Sequence, residues 1–169
     1  METTIKELRR PQVIPNMGYI SFPINEGIAQ SIKSTKTLGD FLYQHYLNQN
    51  YILVCRGASG IGVALLVATY IYNTYDKEID VQLLRKDNEN CHDSSDSKIR
   101  AKYLDNYKIV IVDDLIDSGE TVIKLYNDLK RILKDENLII DSIAVGTCYG
   151  HTTDALKDVK FNYLFHKEC

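Results

Sequence analysis

The sequence lacks the features of a membrane or secreted protein. Its longest apolar stretch, around residues 63–71, is too short and too interrupted to cross a bilayer. Residues 1–7 have no apolar core of the kind that marks a secretory signal. Positive charge is not in excess either, since the formal net charge is −3, which gives no reason to expect nucleic acid as a partner. We therefore expect a cytoplasmic protein with no membrane and no nucleic-acid partner.

Cysteine is scarce and shows no pattern of paired ligands. The 4 cysteines have neither CxxC spacing nor a histidine at zinc-ligand spacing. Cys55 and Cys148 fall within apolar stretches, where a free thiol behaves as a small hydrophobic group. We expect free thiols in a reducing compartment rather than disulfides or a zinc site.

No linker or repeat divides the chain. With only 3 prolines and 9 glycines, it has no Pro-rich or Gly-rich segment. A length of 169 residues suits one domain with a real core. We expect a single domain over residues 1–169, of which residues 1–16 form a loosely held N-terminal extension.

Apolar runs alternate with apolar residues at helical spacing along the rest of the chain. The predicted strands cover residues 17–22, 51–55, 79–84, 109–112, 138–148 and 161–165. The predicted helices cover residues 37–47, 61–72 and 122–133, with a short one near 153–156. Uninterrupted aliphatic strands are typical of a parallel sheet covered on both faces. The alternation predicts a doubly wound α/β fold with one mostly parallel central sheet flanked by helices.

Residues 87–98 interrupt this alternation. They contain no apolar residue except Cys91 and show no periodicity. A polar segment of this length inside a compact domain is either a functional lid or a disordered loop. We expect a flexible lid.

An acidic pair and a small polar loop follow the aliphatic run at residues 109–112. Asp113 and Asp114 come directly after the run, and Ser118, Gly119 and Thr121 stand where a helical pattern begins. Ligands of open α/β sheets bind at the carboxyl ends of the strands. Hydroxyls and free backbone N–H groups at a helix N-terminus suit a phosphate. The stretch predicts a phosphate site beside two carboxylates.

This stretch resembles the phosphoribosyl-diphosphate (PRPP) motif of the type I phosphoribosyltransferases. The motif is an aliphatic run, two acids, a spacer and a Ser/Thr-Gly-x-Thr loop, which here ends at Thr121. The resemblance implies a PRPP-dependent enzyme of nucleotide salvage. Such an enzyme transfers ribose 5-phosphate to a nitrogenous base, releases pyrophosphate and uses Mg²⁺. It also implies a possible homodimer.

The resemblance assigns the acids to ribose and magnesium. It implies that Asp113 and Asp114 contact the ribose hydroxyls, support Mg²⁺ indirectly and favour positive charge at the anomeric carbon. The competing interpretation is an acidic surface pair at a strand end. Asp113 and Asp114 would then need no ligand.

The loop over residues 117–121 is assigned to the 5′-phosphate. The residues implied are Asp117, Ser118, Gly119, Glu120 and Thr121. An alternative without a ligand is that Ser118 only caps the helix. Glu120 departs from the motif, because many relatives carry Gly or Lys there. A carboxylate facing a phosphate would be repulsive, so we expect Glu120 to point outward.

Two further segments are assigned to pyrophosphate. Arg56, Gly57 and Ala58 follow the predicted strand 51–55, where the family binds pyrophosphate through backbone N–H groups. Arg85 and Lys86 introduce the lid, and Lys86 is a candidate catalytic contact. A glycine-rich turn between strand and helix is common in α/β proteins, and a polar loop needs no ligand.

The base is assigned to Asp117 and Tyr149. An acid at the position of Asp117 faces the base in relatives that act on 6-oxopurines, where it takes or shares a ring proton. Tyr149 would stack on the base. Asp117 also suits the helix dipole without any substrate. Two alternatives therefore stay open: an orotate or other pyrimidine enzyme, and a non-catalytic regulator that senses PRPP or a nucleotide.

Overall fold

The computed structural model describes residues 11–13, 28–85, 107–116, 118–135, 137–148, 158–159 and 161–166. The strands are β1 (Pro11–Val13), β2 (Asn50–Cys55), β3 (Asp80–Leu83), β4 (Tyr107–Ile116), β5 (Ile140–Cys148) and β6 (Phe161–His166). The helices are α1 (Ile28–His45), α2 (Gly57–Tyr75) and α3 (Glu120–Leu133). None of these helices has the length and hydropathy that a membrane span requires.

The strands form one sheet in the order β1-β6-β5-β4-β2-β3. Every strand pair within the described residues is parallel. Parallel strands are joined by crossover connections, and helices in these connections cover both faces of the sheet. The predicted doubly wound, parallel α/β fold is confirmed.

Helices cover the two faces of the sheet separately. Leu53, Val110 and Val112 pack with residues of α1 and α2 in one buried cluster. Ile52 and Ile111, which alternate with them along the same strands, pack with residues of α3 in a second cluster. Successive side chains of a strand point to opposite faces, so each aliphatic run supplies both cores.

Helix α3 is amphipathic, as its sequence predicts. Its buried residues are Val122, Leu125, Tyr126 and Leu129. They recur at helical spacing and face the sheet, while Ile132 and Leu133 pack at the edge of the same cluster. The hydroxyl of Tyr126 donates to the carbonyl of Leu138 at 2.8 Å, so its one polar group is satisfied inside the core.

The structure differs from the sequence predictions at several element ends, and α2 begins at Gly57 rather than at residue 61. Pro11–Val13 pair with β6, whereas we expected these residues to lie in a loose extension. Helix α1 begins at Ile28 rather than Thr37, and the Thr37 hydroxyl donates to the Lys33 carbonyl at 3.1 Å within the helix. Strand β4 runs past the acids to Ile116, because its pairing with β5 continues there. The predicted elements at 17–22 and 153–156 and the predicted lid at 87–98 lie outside the described residues.

Candidate active site

The sheet has its topological switch point between β2 and β4. These strands are neighbours, yet the chain leaves β2 towards β3 on one side, and leaves β4 towards β5 on the other. The following helices, α2 and α3, pack on opposite faces. Connections that diverge in this way open a crevice at the carboxyl ends of the two strands, where α/β proteins bind ligands.

Gly60 and Asp113 show that the two connections meet at this crevice. A Cβ atom added to Gly60, in the first turn of α2, would lie 3.4 Å from Oδ1 of Asp113. It would also lie 3.5 Å from the carbonyl oxygen of Val112. The first turn of α2, which follows the start of the predicted pyrophosphate loop, therefore passes beside the predicted ribose-binding acids.

The two acids have different surroundings. Asp113 is buried, with 8% of its surface exposed, and its Oδ1 accepts a hydrogen bond from the Asp114 N–H at 2.9 Å. Asp114 is only partly buried. The structure thus fixes one carboxylate against the sheet and leaves its neighbour closer to solvent.

Cys55 lies beside Asp113, and its thiol is unreactive. It is fully buried at the end of β2, and its Sγ donates to the Gln82 carbonyl at 3.7 Å. Burial, together with the negative charge of Asp113, raises the pKa of the Cys55 thiol to about 12. The thiol stays protonated near neutral pH and is not a nucleophile. The expectation of a free thiol is confirmed for Cys55.

The predicted phosphate loop stands at the N-terminus of α3. Gly119 is the N-cap residue, with φ 80° and ψ −3°, and has no side chain to cap the helix. The Ser118 hydroxyl accepts only a long hydrogen bond, 3.4 Å, from the Glu120 N–H. The first N–H groups of a helix have no partner within it, so they suit an anion. Asp117 lies outside the described residues.

Glu120 is directed away from this loop. Its carboxylate pairs with the Lys124 ammonium at 3.3 Å, and both side chains are largely exposed. The pair follows the i,i+4 spacing of neighbours on a helix surface. Glu120 points outward, as the phosphate assignment requires.

The predicted pyrophosphate loop stands at the N-terminus of α2. Gly57 has φ +74°, and a Cβ added there would meet nothing within 4 Å. Arg56 is the N-cap residue in an extended conformation and makes no side-chain cap. The first N–H groups of this helix likewise have no partner within it, so they suit an anion.

The side chain of Arg56 is already engaged by the protein. Arg56 is buried, its Nε donates to the Leu84 carbonyl at 3.2 Å, and its guanidinium pairs with the Asp128 carboxylate. Sequence reasoning missed Asp128. The only signal was an acid beside the apolar stripe of α3, which does not reveal a partner far away in the chain.

The remaining predicted site residues are placed only in part. Ala58 is exposed in the first turn of α2, Thr121 is exposed in the first turn of α3, and Arg85 is half-buried after β3. Lys86 and Tyr149 lie outside the described residues. The structure thus brings residues 57–60, 113–114 and 118–121 to one edge of the sheet, and their assigned contacts stay predictions.

The carboxylates suit a magnesium ion that comes with its ligand. Among the described residues, no group of three or more His, Cys, Asp or Glu is placed to hold a metal. Mg²⁺ keeps several waters and takes one or two carboxylates together with substrate phosphates, so it needs no such cage. Asp113 and Asp114 offer the right ligand chemistry.

Comparison with known proteins identifies the family. The phosphoribosyl transferase domain family matches residues 26–147, which is more than two thirds of the chain. No curated protein matches the sequence.

Solved structures share the fold at low sequence identity. A hypoxanthine-guanine-xanthine phosphoribosyltransferase is 15% identical with a TM-score of 0.52, and the match covers 81% of this chain and 73% of that one. The adenine phosphoribosyl transferase of Trypanosoma brucei is 14% identical with a TM-score of 0.54, covering 83% and 67%. The orotate phosphoribosyltransferase of Francisella tularensis is 17% identical with a TM-score of 0.54, covering 85% and 68%. From the family match, the chain belongs to the phosphoribosyl transferase domain family and is a PRPP-dependent transferase.

Proposed function

We propose that this protein transfers ribose 5-phosphate from PRPP to a ring nitrogen of a free base, with a 6-oxopurine as the preferred base. In this reaction the bond between C1′ and the base nitrogen forms. The bond between C1′ and a pyrophosphate oxygen breaks, and the electron pair leaves with pyrophosphate. The product is a nucleoside monophosphate, which suits a role in nucleotide salvage. A cytoplasmic location and a homodimer accompany this proposal as expectations.

The observation that carries the proposal is the close approach of the α2 backbone at Gly60 to Asp113. It joins a helix N-terminus suited to pyrophosphate with acids suited to ribose hydroxyls. A second helix N-terminus, at residues 118–121, follows the same strand as the acids. PRPP carries pyrophosphate, ribose and 5′-phosphate in that order, and the three segments assigned to them follow in the same order along the chain, at the ends of β2 and β4.

The acids take separate parts in this scheme. Asp114 is the more exposed, so we assign it the direct contact with the ribose hydroxyls. Asp113 adds buried negative charge under the same ribose, where it favours positive charge developing at C1′. Both carboxylates would orient the waters of a Mg²⁺ ion. When bound, that ion neutralises charge on the leaving pyrophosphate.

The base preference rests on Asp117. A carboxylate at this position of the loop is suited to take the proton that the attacking nitrogen loses. The solved structures similar to this chain include purine and orotate enzymes alike, so the fold favours neither class. The proposal of a 6-oxopurine as the preferred base rests on Asp117 and not on the fold.

A base panel tests the activity. The protein is mixed with PRPP, Mg²⁺ and hypoxanthine, guanine, xanthine, adenine, uracil or orotate, and pyrophosphate release and the nucleotide formed are measured. We expect release with a 6-oxopurine. Release only with orotate would overturn the base preference, and PRPP binding without release from any base would favour the regulator.

The acid pair is tested by calorimetry. We expect the double variant Asp113→Asn and Asp114→Asn to lose Mg²⁺-dependent PRPP binding. A matched control removes two exposed carboxylates at the opposite edge of the sheet, Asp76→Asn with Glu78→Gln, and should bind normally. Unchanged binding in the acid-pair variant would contradict the site.

A further inference from the structure

The buried contact between Arg56 and Asp128 lies away from the ligand edge. Side chains alternate along β2, and Ile52 and Val54 face α3. Arg56 continues that alternation and reaches Asp128 on the same face. Asp128 lies eight residues into α3, so it is about 12 Å along the helix axis from the predicted phosphate loop. The guanidinium therefore points towards the middle of α3.

Arg56 joins three segments that carry predicted ligand contacts. Its own backbone leads into Gly57 and the pyrophosphate loop. Its Nε bonds the carbonyl of Leu84, the residue just before Arg85. The Leu84 N–H in turn donates to the carbonyl of Cys55 at 2.9 Å, so the ends of β2 and β3 are tied twice. The ion pair with Asp128 connects Arg56 to α3, the helix that presents the predicted phosphate loop.

We propose that Arg56 and Asp128 are a positioning pair, which sets the relative placement of the pyrophosphate loop, the end of β3 and α3 without touching the ligand. The proposal deepens the proposed function and depends on it. It replaces the direct contact with pyrophosphate that the sequence suggested for Arg56. It also gives a role to Asp128, which no motif includes.

Because the pair is buried, the charge of each side chain needs the other to compensate it. The side chains of Arg56 and Asp128 are 6% and 19% exposed. A guanidinium offers several donors in a fixed plane, so it can bind a carboxylate and a carbonyl at once. Removing one partner leaves a buried charge uncompensated, whereas replacing both by apolar groups is often tolerated. Arg131 binds the other oxygen of Asp128 at 2.7 Å but is 70% exposed, so it contributes little.

A four-variant comparison tests the proposal. The variants are Arg56→Met, Asp128→Leu, the two together, and Arg131→Met as the control. We expect each single change at the pair to lower kcat/KM by roughly 10- to 100-fold, mainly through KM for PRPP, since displaced loops bind less well. The double variant should be more active than either single variant. The control should match the wild type.

A direct contact with pyrophosphate predicts a different pattern. Asp128→Leu would then release Arg56 for its ligand and keep KM for PRPP unchanged, and the double variant would be as weak as Arg56→Met. That pattern would overturn the positioning role. Should a single variant fail to fold, Arg56→Lys and Asp128→Asn replace it. We expect these to be impaired less, because each keeps part of the hydrogen bonding.

Hydrogen exchange separates this proposal from the proposed function. Both single variants should show faster amide exchange than the wild type at Leu84, whose N–H is bonded to the Cys55 carbonyl, and at residues 61–63 in the next turn of α2. The control should not. This readout needs no substrate. A wild type that neither binds PRPP nor releases pyrophosphate would contradict the proposed function, while unchanged exchange in both variants would contradict the positioning pair.

Discussion

The first turn of α2 passes Asp113 so closely at Gly60 that only a small side chain fits between them. A Cβ at Gly60 would lie 3.4 Å from both Oδ1 of Asp113 and Cβ of Cys55, an ordinary contact distance. Gly60→Ala should therefore keep PRPP affinity within a few-fold. Gly60→Val should weaken it strongly, because its extra methyl groups must displace the carboxylate. Calorimetry with PRPP and Mg²⁺ measures the difference, and circular dichroism checks folding. Equal affinity in both variants would contradict the contact.

Gly57 and Gly119 allow a test of backbone strain at the two loops. Both have positive φ, 74° and 80°. Replacement by Ala should cost about 1–2 kcal/mol in the free energy of unfolding, since a Cβ disfavours this conformation. Asn tolerates positive φ better, so Gly57→Asn and Gly119→Asn should cost less. Urea unfolding measures these differences. A larger cost for Asn than for Ala would contradict the strain argument.

Cys55 should report on the charge of Asp113. In a background of Cys91→Ser, Cys148→Ser and Cys169→Ser, native Cys55 should resist iodoacetamide at pH 8, because burial and Asp113 raise the pKa of its thiol to about 12. Asp113→Asn removes one of the two causes and should speed alkylation. Asp114→Asn is the matched control and should leave the rate unchanged. Equal rates in both variants would show that Asp113 does not act on the thiol.

The same pKa has a consequence for alkaline stability. The pKa of the folded thiol lies above its ordinary value of 9.0, so folding favours the protonated thiol. That stabilisation is complete below about pH 9 and is lost as pH rises towards 12. The difference in unfolding free energy between the wild type and Cys55→Ala should therefore shrink above pH 9. Unfolding titrations at pH 8 to 10.5 would show it.

Gly39 should tolerate no side chain. A Cβ there would lie 3.1 Å from Cε1 of Tyr70 and closer still to Cδ1. The Tyr70 hydroxyl is held by Asp40 at 2.7 Å, so the ring cannot move away without losing that bond. Gly39→Ala should cost about 1–3 kcal/mol, as expected for overpacking. Adding Tyr70→Ala should remove the clash and make the Gly39 change nearly neutral, which urea unfolding can measure.

The sequence predicted the central strands because their aliphatic residues form uninterrupted runs. It missed the first part of α1, because hydroxyl residues occupy positions there that face the core. Ser31, Ser34 and Thr35 are buried. The Thr35 hydroxyl donates to the Ser31 carbonyl at 2.7 Å, so it enters the core without an unsatisfied donor. A search for apolar periodicity does not register such residues.

The candidate site was predicted as far as local order along the chain allows. Asp113, Asp114 and the loop at residues 118–121 stand together in the sequence, so one motif indicated them. Arg56 and Asp128 are 72 residues apart, and only the folded sheet brings them together. From the sequence alone, we therefore predicted a ligand contact for Arg56, because a charged residue before a glycine turn gives no sign of a buried partner.

The acids of this protein belong to a strand and not to a loop. Strand β4 continues beyond them, and Leu115 and Ile116 still pair with Thr147 and Cys148 of β5. The backbone before and after the acids is thus paired with β5 before any substrate arrives. Little conformational entropy would be lost there on binding, and the acids should superimpose between the free and the substrate-bound protein. Adaptation to different substrates would then fall to the connections around a fixed ribose anchor.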